Sequence, residues 1–257
     1  MKIHYMNGAG NDFMVMDARG GTYDFQTLAV ELCKLTGADG FMATDFSDKA
    51  DFRLHFYNAD GSRGEMCGNG ARCICRYAYD LGLAGAEMSV ETDAGIVCGQ
   101  RLSETQYRVK LNNPGILDLN RREDAAYIEL GDPGVPHSVT HIPGLRWEAK
   151  EELRDYARSL RYAPEFPKGA NANLYDRIDE NSVRILTFER GVEDYTLACG
   201  TGSASTAVVL WLRGEVPGGH LTVKNPGGDL AVTIQGKDQV EALYLEGPTE
   251  VVRIYSI

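Results

Sequence analysis

Alternation of apolar and polar residues marks short strands along most of the chain. The segment 51–57 alternates clearly, and the segments 2–6 and 13–17 flank a turn rich in Gly and Asn. Further strands are predicted at 87–92, 95–100, 106–111, 126–130, 138–142, 173–178 and 182–189, with three or four more over 220–257. The pattern therefore predicts a protein that is mostly β.

Two of the predicted helices lie between predicted strands and away from any cysteine motif. One covers 25–36, where Asp24 suits the N-cap and Leu28, Leu32 and Leu35 share one face. The other is a charged helix over 148–161. The acidic run 148–155 at its start is most simply a solvated helix face.

Two further helices each follow a cysteine in a C-G-x-G motif. The first motif is Cys67-Gly68-Asn69-Gly70 and the second is Cys199-Gly200-Thr201-Gly202. Apolar residues recur at helical spacing after each motif, and the two cysteines lie 132 residues apart, about half the chain. A two-fold pseudo-repeat of the chain would explain why the motif and its following helix occur twice. The run 112–115 (NNPG) breaks the strand pattern between the two motifs and is the predicted boundary of the halves.

Composition and charge narrow the classes of function. The 257 residues carry a net charge of −11, which argues against general nucleic-acid binding and against an anionic membrane surface. A local positive site for a small anion remains compatible with an acidic protein. No run approaches the ~20 apolar residues of a membrane span, and the first residues lack the apolar region of an export signal, so a cytoplasmic location is expected.

The six cysteines are not expected to form a disulfide framework in a protein without an export signal. Cys67, Cys73 and Cys75 form C-x5-C-x-C, which lacks the C-x2-C pair of common zinc sites, so core packing is expected for Cys73 and Cys75. Cys33 and Cys98 fit the apolar faces of a helix and a strand.

The C-G-x-G motif suits acid–base chemistry on an amino acid. Glycines let the backbone approach a ligand, and the following helix offers free N–H groups that bind a carboxylate. The positive end of the helix dipole also lowers the pKa of a cysteine at the helix start, from a free value of about 8.5. Two such units facing one crevice would place a thiolate and a thiol on opposite faces of an α-carbon, with His137 and Glu189 as candidates for proton exchange.

Five motifs in order resemble the diaminopimelate epimerase family of cofactor-independent amino-acid racemases. They are NGAGNDF (7–13), NADGSRGEMCGNGARC (58–73), GVPH (134–137), GANAN (169–173) and FERGVEDYTLACGTG (188–202). The resemblance implies stereoinversion at an α-carbon, for LL- to meso-diaminopimelate, without a cofactor. It implies an amino-acid partner, no nucleic acid and no membrane, and it leaves a homodimer open.

The resemblance also implies the roles of individual residues. Cys67 and Cys199 would be the catalytic cysteines, and His137 and Glu189 would set their protonation. Arg190 would hold the distal carboxylate of the substrate, for which a bidentate guanidinium is suited. The remaining substrate-binding residues would be Asn11, Asn58, Gly68, Asn69, Asn171, Glu189, Gly200 and Thr201.

The implied fold is mixed α/β, with two pseudo-symmetric halves that each wrap a curved mixed sheet around a central helix. Residues 1–115 with 248–257 would form the half that carries Cys67, and 116–247 the half that carries Cys199. Val135 departs from the asparagine of the family's usual N-P-H motif, and the segment VEDYTL is one residue longer than the common form. Both departures concern the distal end of the substrate.

Other functions remain open from the residues alone. A cysteine hydrolase would need only one of the two thiols. A metal or redox module would use the cysteines as ligands or as a disulfide pair. A racemase of another amino acid, such as histidine, or a non-racemising isomerase would share the scaffold.

Overall fold

Strands greatly outnumber helices in the computed structural model, which describes residues 2–64 and 67–256. The mixed α/β class predicted from the sequence is confirmed. The strands are β1 Lys2–Gly8, β2 Asn11–Asp17, β3 Gly40–Asp45, β4 Phe52–Asn58, β5 Glu87–Thr92, β6 Gly95–Arg101, β7 Gln106–Leu111, β8 Pro114–Arg122, β9 Ala125–Gly131, β10 Gly134–His141, β11 Asn171–Asp179, β12 Ser182–Glu189, β13 Asp194–Thr196, β14 His220–Asn225, β15 Gly228–Gln235, β16 Ala242–Pro248 and β17 Glu250–Ser256. The helices are α1 Phe25–Thr36, α2 Gly68–Asp80, α3 Arg154–Arg161 and α4 Gly200–Leu212, with a 3-10 helix, Trp147–Leu153, before α3.

The chain forms two compact units. Unit 1 comprises Met1–Lys110 and Glu246–Ile257, and unit 2 comprises Leu111–Leu245. Unit 1 contains Cys67 and unit 2 contains Cys199.

Unit 1 has a mixed sheet in the order β17-β1-β2-β3-β4-β5-β6-β7, in which β6/β7 is antiparallel. The pairs β17/β1, β1/β2, β3/β4 and β5/β6 are antiparallel, whereas β2/β3 and β4/β5 are parallel. A parallel pair needs a crossover, and helices α1 and α2 provide the two crossovers of this unit.

Unit 2 repeats the first seven strands of this arrangement, and its additional short strand β13 pairs with β12. Its order is β8-β9-β10-β11-β12-β14-β15, in which β10/β11 and β12/β14 are parallel and the other neighbouring pairs are antiparallel. Helices α3 and α4 are the two crossovers. The pseudo-repeat predicted from the two C-G-x-G motifs is therefore confirmed by the internal topology of each unit.

The second crossover helix of each unit is enclosed by strands. Helix α2 packs against β1, β2, β3 and β6, and α4 packs against β9, β10, β11, β14 and β15. Apolar side chains all around α4 are buried, as expected for a helix inside a core. Because both helices have 13 residues and begin directly after a cysteine, each cysteine is held at the end of a rigid element.

The predicted caps of α1 are confirmed. The Asp24 carboxylate accepts a hydrogen bond from the backbone N–H of Thr27 at 3.1 Å, and Gly37 ends the helix in the left-handed region at φ 79°. The apolar face was predicted in part wrongly, since Leu35 is 81% exposed and the buried residues are Ala29 and Cys33.

The predicted α-helix over 148–161 is wrong in its first half, where the chain forms the 3-10 helix. Trp147 and Leu153 both pack against the core of unit 2, and the indole N–H of Trp147 donates to the carbonyl of Ile185 at 3.1 Å. Residues six apart share a face at three residues per turn but not at 3.6. Tertiary packing therefore selects the tighter helix.

Three strands were missed, namely the three-residue β13 and, for opposite reasons, β3 and β8. Strand β3 is buried along five of its six residues and so lacks alternation. Strand β8 is mostly exposed and opens with Pro114-Gly115, which had indicated a break. None of the described helices combines the length and apolar character needed to cross a lipid bilayer.

The repeat places two glycines in equivalent positions with different neighbours. A Cβ on Gly70 would meet the flexible end of Met42 at 3.2 Å and the Phe13 ring at 3.3 Å. A Cβ on Gly202 would overlap the amide oxygen of Asn173 and also meet Cys199. Met42, the third residue of β3, is thus flexible and apolar. Asn173, the third residue of β11, is polar and is fixed by hydrogen bonds.

Gly202→Ala is therefore expected to lower the free energy of unfolding by about 1–3 kcal/mol through overpacking. Gly70→Ala is the matched control, for which the ~0.5–1 kcal/mol helix preference for Ala offsets the small repacking of Met42. Urea unfolding of both variants measures the difference. Equal losses would contradict the unequal surroundings of the two helices.

Candidate active site

Cys67 is the N-cap of α2 and is half-buried. Its backbone is extended, at φ −127° and ψ 123°, and its carbonyl accepts the N–H of Ala71 at 2.7 Å as the first turn closes. Gly68 and Asn69, which follow, are buried. The first N–H groups of a helix have no partner within the helix, so this end of α2 can bind an anion.

Asn11 and Asn69 are brought together beside this helix start. The Asn69 amide donates to the Asn11 side-chain oxygen at 2.7 Å, and Asn11 donates to the Asp39 carboxylate at 3.2 Å. Asp39 also accepts the backbone N–H of Asp12 at 2.9 Å. Two of the predicted substrate-binding amides therefore belong to one ordered network.

Asn58 lies at the end of β4, close to the same network. The backbone N–H of Ala59 donates to the Asp39 carbonyl at 3.1 Å. The Asn58 amide donates to the Ser62 hydroxyl at 3.0 Å within the turn that follows. Its side chain thus stabilises the turn that leads towards Cys67.

Cys199 is the N-cap of α4, and its backbone resembles that of Cys67, at φ −116° and ψ 110°. The Gly202 N–H donates to its sulfur at 3.3 Å, and the Thr201 hydroxyl lies 3.6 Å from the sulfur. Burial raises the pKa of the Cys199 thiol well above its usual value, and the neighbouring Glu189 carboxylate raises it further. These effects outweigh the hydrogen bonds from Gly202 and Thr201 that favour the thiolate.

Glu189 is the last residue of β12, and its carboxyl group lies close to the Cys199 thiol and the Thr196 hydroxyl. Burial raises the pKa of Glu189 above its ordinary value, and the neighbouring Cys199 and Thr196 oppose this rise only in part. A buried carboxyl in contact with a buried thiol can exchange a proton with it. The structure therefore brings Glu189 and Cys199 together.

His137 lies on β10 and is fully buried. Its Nδ1 is 3.1 Å from the amide nitrogen of Asn173, which donates to it, so the ring proton is on Nε2. Burial and the charge of Arg190 lower the pKa of His137 to about 3, so the imidazole is neutral near neutral pH. The described contacts of unit 2 link His137 to Asn173 rather than to Cys199.

Asn171 connects this histidine to Arg190. The Asn171 oxygen accepts the backbone N–H of Arg190 at 2.8 Å, and its amide donates to the Pro136 carbonyl at 3.2 Å, one residue before His137. The Arg190 guanidinium is exposed and donates to the Lys168 carbonyl at 3.4 Å. The backbone of Arg190 is fixed, whereas its charged end is accessible to a ligand.

Asn173, Thr187 and Arg72 were not among the predicted site residues. Asn173 holds His137, and the Thr187 hydroxyl donates to Asn173 at 2.9 Å. Asn171 and Asn173 are two residues apart on one strand and so share a face, which is the signal that could have identified Asn173. Arg72 is a charged residue on the apolar side of a predicted helix, which is a comparable signal.

The remaining cysteines agree with the predictions except at one position. Cys33, Cys73 and Cys75 are buried, whereas Cys98 is exposed and its predicted apolar setting is wrong. Within residues 2–64 and 67–256, no group of three or more His, Cys, Asp or Glu side chains lies close enough to hold a metal ion.

The chain matches the family model described as diaminopimelate epimerase over residues 4–114 and 131–252. It is 32% identical to a diaminopimelate epimerase of Chlorobaculum tepidum, an alignment that covers 96% of this chain and 97% of that protein. It is 35% identical to a diaminopimelate epimerase of a Nitratiruptor species, with 98% and 96% coverage. A PhzF-family phenazine biosynthesis protein of Bacillus anthracis shares the fold, with a TM-score of 0.78 and 14% identity over 100% of this chain and 98% of that chain.

Acidification is expected to destabilise the protein through His137. Its folded pKa, about 3, lies below the unfolded value of 6.5, so the unfolded state binds the extra proton between these pH values. The stabilisation is present above pH 6.5 and falls as the pH decreases, by about 2 kcal/mol at pH 5.

Urea unfolding at pH 7.5 and pH 5 measures this loss. His137→Gln should show a smaller loss than the native protein, and His220→Gln, which changes an exposed histidine of the same unit, should not. An unchanged pH dependence in His137→Gln would mean that other groups cause the loss.

Glu189→Gln is expected to move the ionisation of Cys199 to lower pH, because a neutral amide does not repel the thiolate. The measurement is the rate of alkylation of Cys199 by iodoacetamide against pH, followed by peptide mass spectrometry. Glu193→Gln serves as the control, since Glu193 is paired with Arg161 on the surface. The same pH midpoint in Glu189→Gln and the native protein would show that the carboxylate does not act on the sulfur.

Proposed function

The chain belongs to the diaminopimelate epimerase family, and on this premise we propose that it converts LL- to meso-diaminopimelate, with Cys67 and Cys199 as paired acid and base. Amino-acid epimerisation, an isomerase activity, is what the family supports. The substrate and the thiol chemistry are the finer parts of the proposal. The same family would place the reaction in lysine biosynthesis.

The observation that carries the proposal is the duplication of one local structure. Each cysteine is the N-cap of an enclosed helix, with the same extended backbone, in units of the same topology. In the proposed reaction a thiolate takes the α-proton from one face, and the thiol of the other cysteine donates a proton to the other face. One C–H bond breaks and one forms, so no oxidant, reductant or cofactor is needed.

The developing carbanion needs electrostatic stabilisation, because an α-hydrogen is a very weak acid. The backbone N–H groups of Gly68 and Asn69 at one helix start, and of Gly200 and Thr201 at the other, suit the carboxylate of an amino acid. Such donors are fixed before the substrate arrives and need no rearrangement as charge develops.

Each thiol must also exchange its proton with a neighbour between turnovers. Glu189 serves Cys199 in this proposal, which its position next to the sulfur supports. His137 would take part in this proton exchange as a neutral imidazole. Its Nε2 has no hydrogen-bond partner among the described residues. A buried donor without a partner is costly, which supports a role completed by another group.

Arg190, Asn171, Asn58 and Asn11 would bind the rest of the substrate, with Arg190 on the distal carboxylate. Val135 stands at the position where the family usually has an asparagine, and it is 40% exposed. This apolar and accessible side chain favours one alternative, a cofactor-independent racemase of another amino acid such as histidine.

The test is exchange of the α-proton in D2O, followed by NMR. The reduced protein is incubated with LL- and meso-diaminopimelate, histidine, lysine, glutamate or alanine. Exchange with diaminopimelate alone is the expected result. Exchange with another amino acid instead would replace the proposed substrate but keep the proposed type of reaction. Absence of exchange with all of them would overturn the proposal.

Variants separate the two-thiol reaction from a one-thiol hydrolase. Cys67→Ser and Cys199→Ser should each lower the epimerisation rate by at least about 10³-fold, because each direction of the reaction needs both groups. Cys98→Ser is the matched control, since Cys98 is exposed. Full activity in either active-site variant would exclude paired acid–base catalysis by the two cysteines.

A further inference from the structure

Arg72 is a fully buried charged residue at the fifth position of α2. Arginine is among the residues that are almost never fully buried unless they are paired. None of the ion pairs among the described residues gives Arg72 a carboxylate. Its charge therefore needs compensation from another source.

The guanidinium is directed back to the first turn of its own helix. Its Nη1 donates to the Gly68 carbonyl at 3.2 Å, and its Nη2 donates to the Asn69 side-chain oxygen at 3.0 Å. Its Nε has no hydrogen-bond partner among the described residues. These contacts hold the positive charge beneath the turn that Cys67 begins.

Burial lowers the pKa of Arg72, and negative charge on the sulfurs of Cys73, Cys67 and Cys75 opposes this shift, so by reciprocity Arg72 favours the thiolate of Cys67. Burial raises the pKa of Cys73, which is also close, to about 12, so this thiol stays neutral. Two carboxylates on elements next to α2 already have hydrogen-bond partners. Asp12 accepts from Asn7 at 2.8 Å, and Asp39 accepts from Asn11.

The equivalent positions in unit 2 have the opposite character. The fifth residue of α4 is Ala204, so α4 has no equivalent of the Arg72 guanidinium at this position. The last residue of β12 is Glu189, which contacts Cys199, whereas the last residue of β4 is the neutral Asn58. Cys67 thus has a buried cation under the first turn of its helix, and Cys199 has a buried carboxyl group next to it.

We propose that Arg72 is a positioning residue that keeps Cys67 as the thiolate of the resting protein, while Cys199 beside Glu189 rests as the thiol. The two equivalent cysteines are then set in opposite protonation states before any substrate binds. This inference rests on the proposed function for its purpose, because inversion needs one base and one acid at the same moment.

The consequence for turnover is directional. The substrate isomer whose α-hydrogen faces Cys67 meets a base at once: the sulfur takes the proton, and the Cys199 thiol donates its proton to the opposite face. Cys199 is then a thiolate beside Glu189, which is the unfavourable state. The resting distribution is restored when the Cys67 proton is exchanged with solvent and Cys199 is protonated again.

The first experiment uses the native protein without substrate. Alkylation of Cys67 and Cys199 by iodoacetamide is followed from pH 5 to pH 10, with the exposed Cys98 as the internal reference. Midpoints are compared rather than rates, because the two sulfurs differ in burial. We expect the Cys67 midpoint to lie at least one pH unit below that of Cys199, and equal or reversed midpoints would overturn the inference.

The second experiment changes the cation. Arg72→Met should raise the Cys67 midpoint by about one unit, which lowers the thiolate fraction about tenfold at pH values below the midpoint. Arg72→Lys should restore the native midpoint in part, because it retains the charge. Arg76→Met is the matched control: it removes a cation one turn further along α2 that is bound to Thr249 and Asp80.

A structural role alone would lower stability without moving the Cys67 midpoint, so an unmoved midpoint in folded Arg72→Met overturns the role of the cation. If Arg72→Met does not fold, Arg72→Lys must keep the midpoint within half a unit of the native value. If neither variant folds, the native comparison of the two cysteines decides. Alkylation is independent of turnover, so failure of this inference is distinct from failure of the proposed activity.

Discussion

Enclosure of α2 and α4 by strands is the constraint on which the rest of the structure depends. A helix surrounded by a sheet cannot direct its first N–H groups or its neighbouring side chains to solvent on every side, so each must be met by a partner or left for a ligand. Cys67 and Cys199 stand at these helix starts. The side chains beneath each start are therefore fixed in the fold and also determine the charge at the sulfur.

The two units meet this constraint with different residues on the same backbone plan. Three equivalent strand positions beneath the helices are apolar in unit 1 and polar in unit 2. They are Phe13, Met42 and Phe56 in unit 1 and His137, Asn173 and Thr187 in unit 2. Unit 1 has the buried cation of Arg72 in an apolar setting, and unit 2 has a chain of hydrogen bonds that holds a neutral imidazole. A repeated fold thus presents two chemically different surroundings to the same type of residue.

Much of the fold follows from the sequence because the local signals agree with the packing. Asp24 and Gly37 bound α1 as the pattern predicts, and β5, β7 and β12 begin and end where the alternation does. The exceptions are elements governed by distant contacts. The fully buried β3 loses its alternation, and the packing of Trp147 and Leu153 replaces an α-helix with a 3-10 helix. In the site, the motifs identify the cysteines and the residues that follow them, but not Arg72 or Asn173, because their importance lies in contacts made after folding.

The order of the strands has a further consequence during synthesis. Unit 2 is continuous in the chain, from Leu111 to Leu245, whereas unit 1 includes Glu246 onward, and β1 pairs with β17 at the far end of the sequence. On the ribosome, the first 110 residues therefore emerge long before the strand that covers β1, whose edge stays open to other chains. Although most of unit 1 is translated before unit 2, all residues of unit 2 are synthesised before the last residues of unit 1. A chaperone that shields the early segment would act on β1.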